Sequence, residues 1–108
     1  MACASLVVIF AEGAIVGYAF EWDRKKAESN LRKHGVSFDE ASTVFGDPLS
    51  LLMPDPAHSQ GEDRYVVLGM SNQRRLIVVA FAERPPRTRL ISARRATRKE
   101  RRRYEEED

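Results

Sequence analysis

Three apolar runs in quick succession leave this chain few folds to choose from. Arg64 to Met70 (RYVVLGM), Arg75 to Ala82 (RLIVVAFA) and Thr88 to Ala93 (TRLISA) are each of strand length and rich in β-branched residues. The spacers between them, Ser71-Asn72-Gln73-Arg74 and Glu83-Arg84-Pro85-Pro86-Arg87, are short and turn-forming. Spacers this short can join only antiparallel neighbours, because a parallel crossover needs a dozen residues or more. The three runs therefore predict an antiparallel meander. A sheet built this way must have at least one face covered by helices. At 108 residues the chain can bury one small core and is read as a single domain.

The remaining elements supply the cover. Tyr18 to Trp22 is an aromatic-rich strand candidate, and Asp23 is an N-cap for a helix from about Arg24 to Lys33. Ala27, Leu31 and His34 fall at i, i+4 and i+7 and are expected to face the sheet. Gly35 suits the position after the helix end, and Lys33 and His34 sit at the negative end of its dipole. Ser37-Phe38-Asp39-Glu40 has the form of a capping box, predicting a second short helix to about Val44 or Phe45, stopped by Gly46-Asp47-Pro48. Leu49 to Met53 reads as another strand, followed by a polar loop, Pro54 to Asp63. Thr97-Arg98-Lys99-Glu100 is a further capping box, opening a last helix from about Arg98 to Glu105. The fold class expected is α+β: a small antiparallel sheet of about four strands, with two N-terminal helices and a C-terminal helix packed against it.

Charge is distributed unevenly over this frame. Arg84 to Tyr104 holds ten Lys or Arg and one acid, Glu100, whereas residues 1–83 hold eight basic and eleven acidic side chains. The last four residues are all acids, and the formal net charge is only +2. One sharply basic segment in a nearly neutral chain points to a polyanionic partner.

Arg89, Ile91 and Ala93 should share one strand face, with Leu90 and Ser92 on the other. Arg94 follows at the strand end, beside the helix start at Thr97. Two guanidiniums next to a helix N-terminus suit a phosphate; equally, they could pair with Glu62, Glu83 or the acidic tail. The loop Asp55 to Arg64 combines His58, Glu62 and Arg64, and reads either as a functional loop on a rigid sheet or as a solvated one. His34 reads better as a helix-terminus residue than as a catalyst. Arg98, Arg101, Arg102 and Arg103 read as a solvated helix face, an RNA-backbone contact or a dock for an acidic partner. No Cys/His cluster has zinc-ligand spacing, and nothing resembles a phosphate-binding loop, a dinucleotide fingerprint or a nucleophile elbow, so no metal or cofactor is expected.

Met1 to Phe20 is apolar with one charge, Glu12, and no Lys or Arg precedes the run as a signal peptide would require. Glu12, Gly13 and Gly17 count against a membrane span. The stretch reads as an extra strand or an extension, with a targeting segment or membrane contact as the alternative. The single cysteine, Cys3, fits a reducing cytoplasm.

These residues together resemble the BrnT toxin family, the toxin half of a bacterial type II toxin–antitoxin module. The likeness runs from about Phe20 to Tyr104. It is carried by Phe20-Glu21-Trp22-Asp23, Lys33-His34-Gly35-Val36-Ser37-Phe38, Glu40-Ala41, Val44-Phe45 and Asp47-Pro48. It continues through Asp55, His58-Ser59, Glu62, Arg64, Glu83-Arg84, Arg89, Ile91 to Arg94, Ala96-Thr97, Glu100 and Tyr104. Residues 1–17 are set aside as an N-terminal extension, and residues 18–108 as the toxin domain. The chain departs from the family at Phe81-Ala82, where His-Thr is usual.

The resemblance implies a RelE-like fold and a cytoplasmic endoribonuclease that stops translation without a metal. It implies neutralisation by a BrnA-type antitoxin in a hetero-oligomer, expected to be a heterotetramer, with operator DNA contacted only through the antitoxin. In that chemistry Arg89 and Arg94 would hold the scissile phosphate with Arg64 nearby. Glu62 or His58 would be the base, and Tyr104 or His58 the acid. Lys33, Arg95, Arg98, Arg101 and Arg102 would hold the RNA backbone. The alternative is a basic module that binds nucleic acid or protein without cutting, including a toxin inactivated at Phe81 and Ala82.

Overall fold

The computed structural model describes residues 19–55 and 63–106, and the backbone of residues 6–10. The chain runs β1 (Leu6–Phe10), β2 (Ala19–Asp23), α1 (Arg24–His34), α2 (Phe38–Thr43), a single 3₁₀ turn (Val44–Gly46), β3 (Leu51–Pro54), β4 (Arg64–Met70), β5 (Leu76–Arg84), β6 (Arg87–Arg95) and α3 (Arg98–Glu106). The strands form one sheet in the order β1-β2-β6-β5-β4-β3.

The meander is present as β4, β5 and β6, and β3 extends it. Two expectations need correcting. The sheet has six strands, not about four, because β1 lies within the apolar N-terminal stretch and pairs with β2. It is also mixed: β2 runs parallel to β6 at Phe20↔Thr88 and Glu21↔Arg89. Local patterning gives a strand but not its neighbour. Here the two intervening helices carry the chain away to the far edge, and β6 returns beside β2.

Both faces of the meander carry an apolar cluster, so its strands read as almost unbroken apolar runs. On one face Val67, Val79, Phe81, Leu90 and Ala93 pack with Phe20 and Trp22 of β2 and with Val36, Phe38, Ala41 and Val44 of the helical layer. On the other, Leu68, Leu76 and Val78 pack beneath Tyr104 of α3. Among the described residues the α3 cover is partial: it lies over the Leu68, Leu76 and Val78 cluster, and Arg87 and Ser92 nearer β2 are exposed.

Asp23 caps α1, accepting from the N–H of Lys25 (2.8 Å) and Lys26 (3.3 Å), and Gly35 closes it at φ 69°, where a side chain would be strained. The buried face of α1 matches the expected one only at Ala27, which packs against the core. Leu31 is 50% exposed and His34 is exposed, while Asn30 is buried. The reason lies in β6. Beyond Thr88 and Arg89 that strand has no registered partner on its β2 side, and Asn30 takes the partner's place. Its Nδ2 donates to the carbonyls of Ala93 (2.8 Å) and Val36 (3.0 Å), and its Oδ1 accepts from the Ala93 N–H (3.0 Å).

Glu40 starts from a half capping box, its N–H donating to Ser37 Oγ at 3.0 Å. Its buried carboxylate instead accepts from Arg75, through Nε (2.9 Å) and NH2, and from the Ser71 hydroxyl (2.6 Å). The Arg75 hydrogen bonds hold the Glu40 carboxyl below its ordinary range against the cost of burial. This pair clamps α2 to the β4–β5 turn.

Candidate functional site

One irregularity in β6 shapes its surface. The β5–β6 ladder runs Val79↔Ala93, Ala80↔Ser92, then Phe81↔Leu90, so Ile91 is an extra residue without a partner. The expected alternation, with Arg89, Ile91 and Ala93 on one face, is therefore wrong. Leu90 and Ala93 both point into the core, and Arg89, Ser92 and Arg94 share the other face. Arg89 and Arg94 are five apart, so in a regular strand they would lie on opposite faces. The bulge is what brings them together.

The register adds to this face Arg64, opposite Ala82, and Arg84 and Arg87, opposite each other. Two carboxylates answer the arginines. Glu21, 6% exposed, lies 3.5 Å from both Arg87 and Arg89. Glu100 accepts two parallel bonds from Arg94, at 2.8 and 2.9 Å. The pairing alternative is thus correct in kind: among the described residues the partners are Glu21 and Glu100 rather than Glu83, while Glu62 and residues 107–108 lie outside the described residues.

Glu100 has a second task. Its Oε1 accepts from the Thr97 N–H (2.8 Å), while the Thr97 hydroxyl accepts from the Glu100 N–H (3.2 Å), closing the capping box of α3. The Arg94 hydrogen bonds foremost, aided by the Thr97 contacts, lower the Glu100 carboxyl to about 2 despite its partial burial. The same pairing raises the pKa of Arg94. One carboxylate thus fixes both the start of α3 and the direction of Arg94. Between them and β3 lies a groove of about 340 Å³, walled by Met53, Val66, Val78 and Ala80, with Ser92 and Arg94 at its polar side.

Tyr104 does not fit the expected role of proton donor. It is 7% exposed in the second core, and its hydroxyl donates to Asp47 Oδ2 at 2.6 Å. Asp47 also accepts from the N–H of Met70 (2.8 Å) and Leu49 (2.9 Å). Burial pushes the Asp47 carboxyl up, and these three bonds outweigh it, leaving the pKa lowered. Tyr104 is therefore an anchor of α3. Asp47 leaves no room beside it: a Cβ on Gly69 would come within 2.9 Å of Val44 Cγ1 and 3.2 Å of Asp47 Oδ2.

The expected RNA-contacting residues divide. Arg98, Arg101 and Arg102 are exposed on α3. Arg95, opposite Ile77, lies on the helical side, near enough to Glu40 to lower its pKa, and Lys33 is exposed on α1. His58 and Glu62 lie outside the described residues. The ends of their loop are placed, however: Asp55 N–H donates to the Arg64 carbonyl (3.1 Å) and Glu83 N–H to that of Asp63 (3.0 Å). Glu21 and Asn30 were missed as site-forming residues. Glu21 had a signal, being an acid set between Phe20 and Trp22 in a strand.

The family model described as "Ribonuclease toxin, BrnT, of type II toxin-antitoxin system" matches residues 22–100. The chain belongs to the BrnT family. Among solved structures it is similar to the Brucella abortus ribonuclease toxin BrnT, determined at 1.1 Å resolution. The TM-score is 0.57 at 26% identity, covering 71% of this chain and 94% of that one. No curated protein matches it. As a BrnT protein the chain is a ribonuclease toxin of a type II toxin–antitoxin system, which implies an RNA substrate and an antitoxin partner. Several residues that carried the BrnT resemblance have structural duties here: Glu40 with Arg75, Asp47 with Tyr104, and Glu100 with Arg94. Among the described residues no helix is long and apolar enough to cross a membrane, and no three His, Cys, Asp or Glu gather as a metal site.

Proposed function

We propose that the arginine face of the sheet is where this toxin cuts RNA, as a metal-independent endoribonuclease of the RelE-like kind. The observation that carries the proposal is the bulge at Ile91, which gathers Arg89 and Arg94 with Arg64 on one open face. In the reaction the 2′-oxygen attacks phosphorus, the bond to the 5′-oxygen breaks, and a 2′,3′-cyclic phosphate and a 5′-hydroxyl result. A base takes the 2′-hydroxyl proton, and an acid returns a proton to the leaving 5′-oxygen. Fixed guanidiniums stabilise the charge that accumulates on the pentacoordinate phosphate. Arg89 and Arg94 are assigned that task, with Arg64 beside them. Glu62 is assigned the base and His58 the acid, since the Tyr104 hydroxyl is engaged with Asp47.

Glu21 and Glu100 are compatible with this assignment. Each holds an arginine by part of its fork, and Arg94 has five N–H donors, of which two go to Glu100 and one to the Arg95 carbonyl. The departure at residue 81 also fits an active toxin. Phe81 points into the core, stacked on Tyr65 at 5.7 Å and edge-on to Phe45 at 4.9 Å. A histidine there would sit across the sheet from the arginines. Ala82 does face them, opposite Arg64 and Arg89, so a threonine hydroxyl is what this chain lacks at the site.

The natural antitoxin is assigned as a BrnA-type protein that covers this basic face in a hetero-oligomer and contacts operator DNA on the toxin's behalf. The second reading, a module that binds RNA without cutting it, is favoured by the carboxylates already seated on Arg89 and Arg94. Incubating the purified chain with RNA in excess EDTA decides between them. Discrete fragments ending in cyclic phosphate are expected, and intact RNA retained on the protein would overturn the catalytic assignment.

A further inference from the structure

The open edge of β6 joins two features that the cleavage site does not use. On α1, Lys26, Ser29, Asn30 and Lys33 fall at i, i+3, i+4 and i+7, one stripe of a helix. That stripe lines a groove of about 190 Å³ whose other wall is Ile91 and Ser92 of β6. Ser92 also lines the larger groove beside Arg94. One exposed serine is therefore common to a groove on the arginine face and a groove on the helical side. The registered pairing of β2 with β6 ends at Arg89, so among the described residues no strand stands between them, and Asn30 bonds β6 at Ala93.

We propose that a single RNA strand held at Arg94 continues across this edge, over Ile91 and Ser92, and is gripped on α1 by Lys26 and Lys33. The inference rests on the arginine face being the RNA site and extends it to the flanking nucleotides. Cations occur at both ends of the path, Arg94 at one and Lys26 and Lys33 at the other. The crossing between them is narrow, and Ser92 offers a hydroxyl to ribose or phosphate. Lysines on a flexible stem hold phosphates as point charges with no demand on base identity. The α1 segment is thus a sequence-independent clamp for the strand beyond the scissile bond, and a duplex, with its rigid A-form groove, would not follow the turn over the edge.

The test uses fully 2′-O-methylated RNA, which lacks the attacking hydroxyl and stays intact. Probes two and eight nucleotides long are bound to the full chain and to the double variant Lys26→Ala, Lys33→Ala, across a salt series. Both lysines are exposed, so the variant is expected to fold, and its melting curve checks this. For the long probe, removing two phosphate contacts should weaken binding and reduce the slope of log K against log[salt] by about 1.4, at roughly 0.7 per contact on a single strand. The two-nucleotide probe should bind both proteins alike. Equal slopes for wild type and variant on the long probe overturn the clamp while leaving the arginine face standing. If neither probe binds the wild type, both readings fall.

Discussion

Asn30 shows how much one side chain can decide. It replaces a missing strand at the edge of β6 with two donated bonds and one accepted bond, all in a buried position. Asn30→Leu keeps the volume and leaves Ala93 and Val36 with unpaired polar groups, so we expect a loss of about 3 kcal/mol, read by urea denaturation. Gly69→Ala should cost about 1–3 kcal/mol by overpacking, because the new methyl meets Val44 and the Asp47–Tyr104 anchor. Glu100 predicts a pH effect. Its folded carboxyl lies near 2 against an ordinary 4.5. A lowered folded pKa stabilises the protein above the unfolded value, and the contribution is lost as pH falls from about 4.5 to about 2. Denaturation midpoints followed over that range should fall less steeply for Glu100→Gln than for wild type. Identical slopes would show that Arg94 does not hold Glu100 in the folded protein.

Among the elements, β6 is the one on which the site depends. Deleting Ile91 would leave Arg89 and Arg94 four positions apart, so a regular, bulge-free ladder keeps both on one face with Leu90 and Ala93 turned inward. We expect such a variant to keep the core and the shared arginine face, seen as a cooperative melting curve and retained cleavage, and a folded deletion that no longer cuts would show that the site needs the local twist of the bulge itself. Ile91→Ala, which keeps the residue count, should retain both. The bulge also marks where sequence reasoning stopped. The lengths and patterns of α1, α2, β4, β5, β6 and α3 follow from caps, turn residues and apolar periodicity, all of them local signals. An extra residue in a ladder depends on the partner strand, and nothing in Leu90-Ile91-Ser92 announces it. The same holds for the parallel seat of β2, for the inward turn of Asn30 and for the choice of Glu21 and Glu100 as arginine partners. The arginines could be singled out as charge at a strand end, but the face they share could not be foreseen.

On the scale of the whole molecule, two cores lie on opposite sides of one sheet, and among the described residues the exposed or half-exposed Arg87, Arg89, Ser92 and Arg94 lie between the end of β2 and the N-terminus of α3. The basic segment of the sequence is concentrated there, which suits a polyanion substrate and an acidic inhibitor alike. Expression of the chain in a bacterium should arrest growth, and co-expression of its antitoxin should relieve the arrest. The most direct measurement of the central claim is RNA cleavage by Arg89→Ala and Arg94→Ala, each first shown to be folded by its melting curve. If the arginine face is the catalytic surface, each variant should cut roughly 10²-fold more slowly or worse than wild type. Folded variants that cut at the wild-type rate would place the chemistry elsewhere on the molecule.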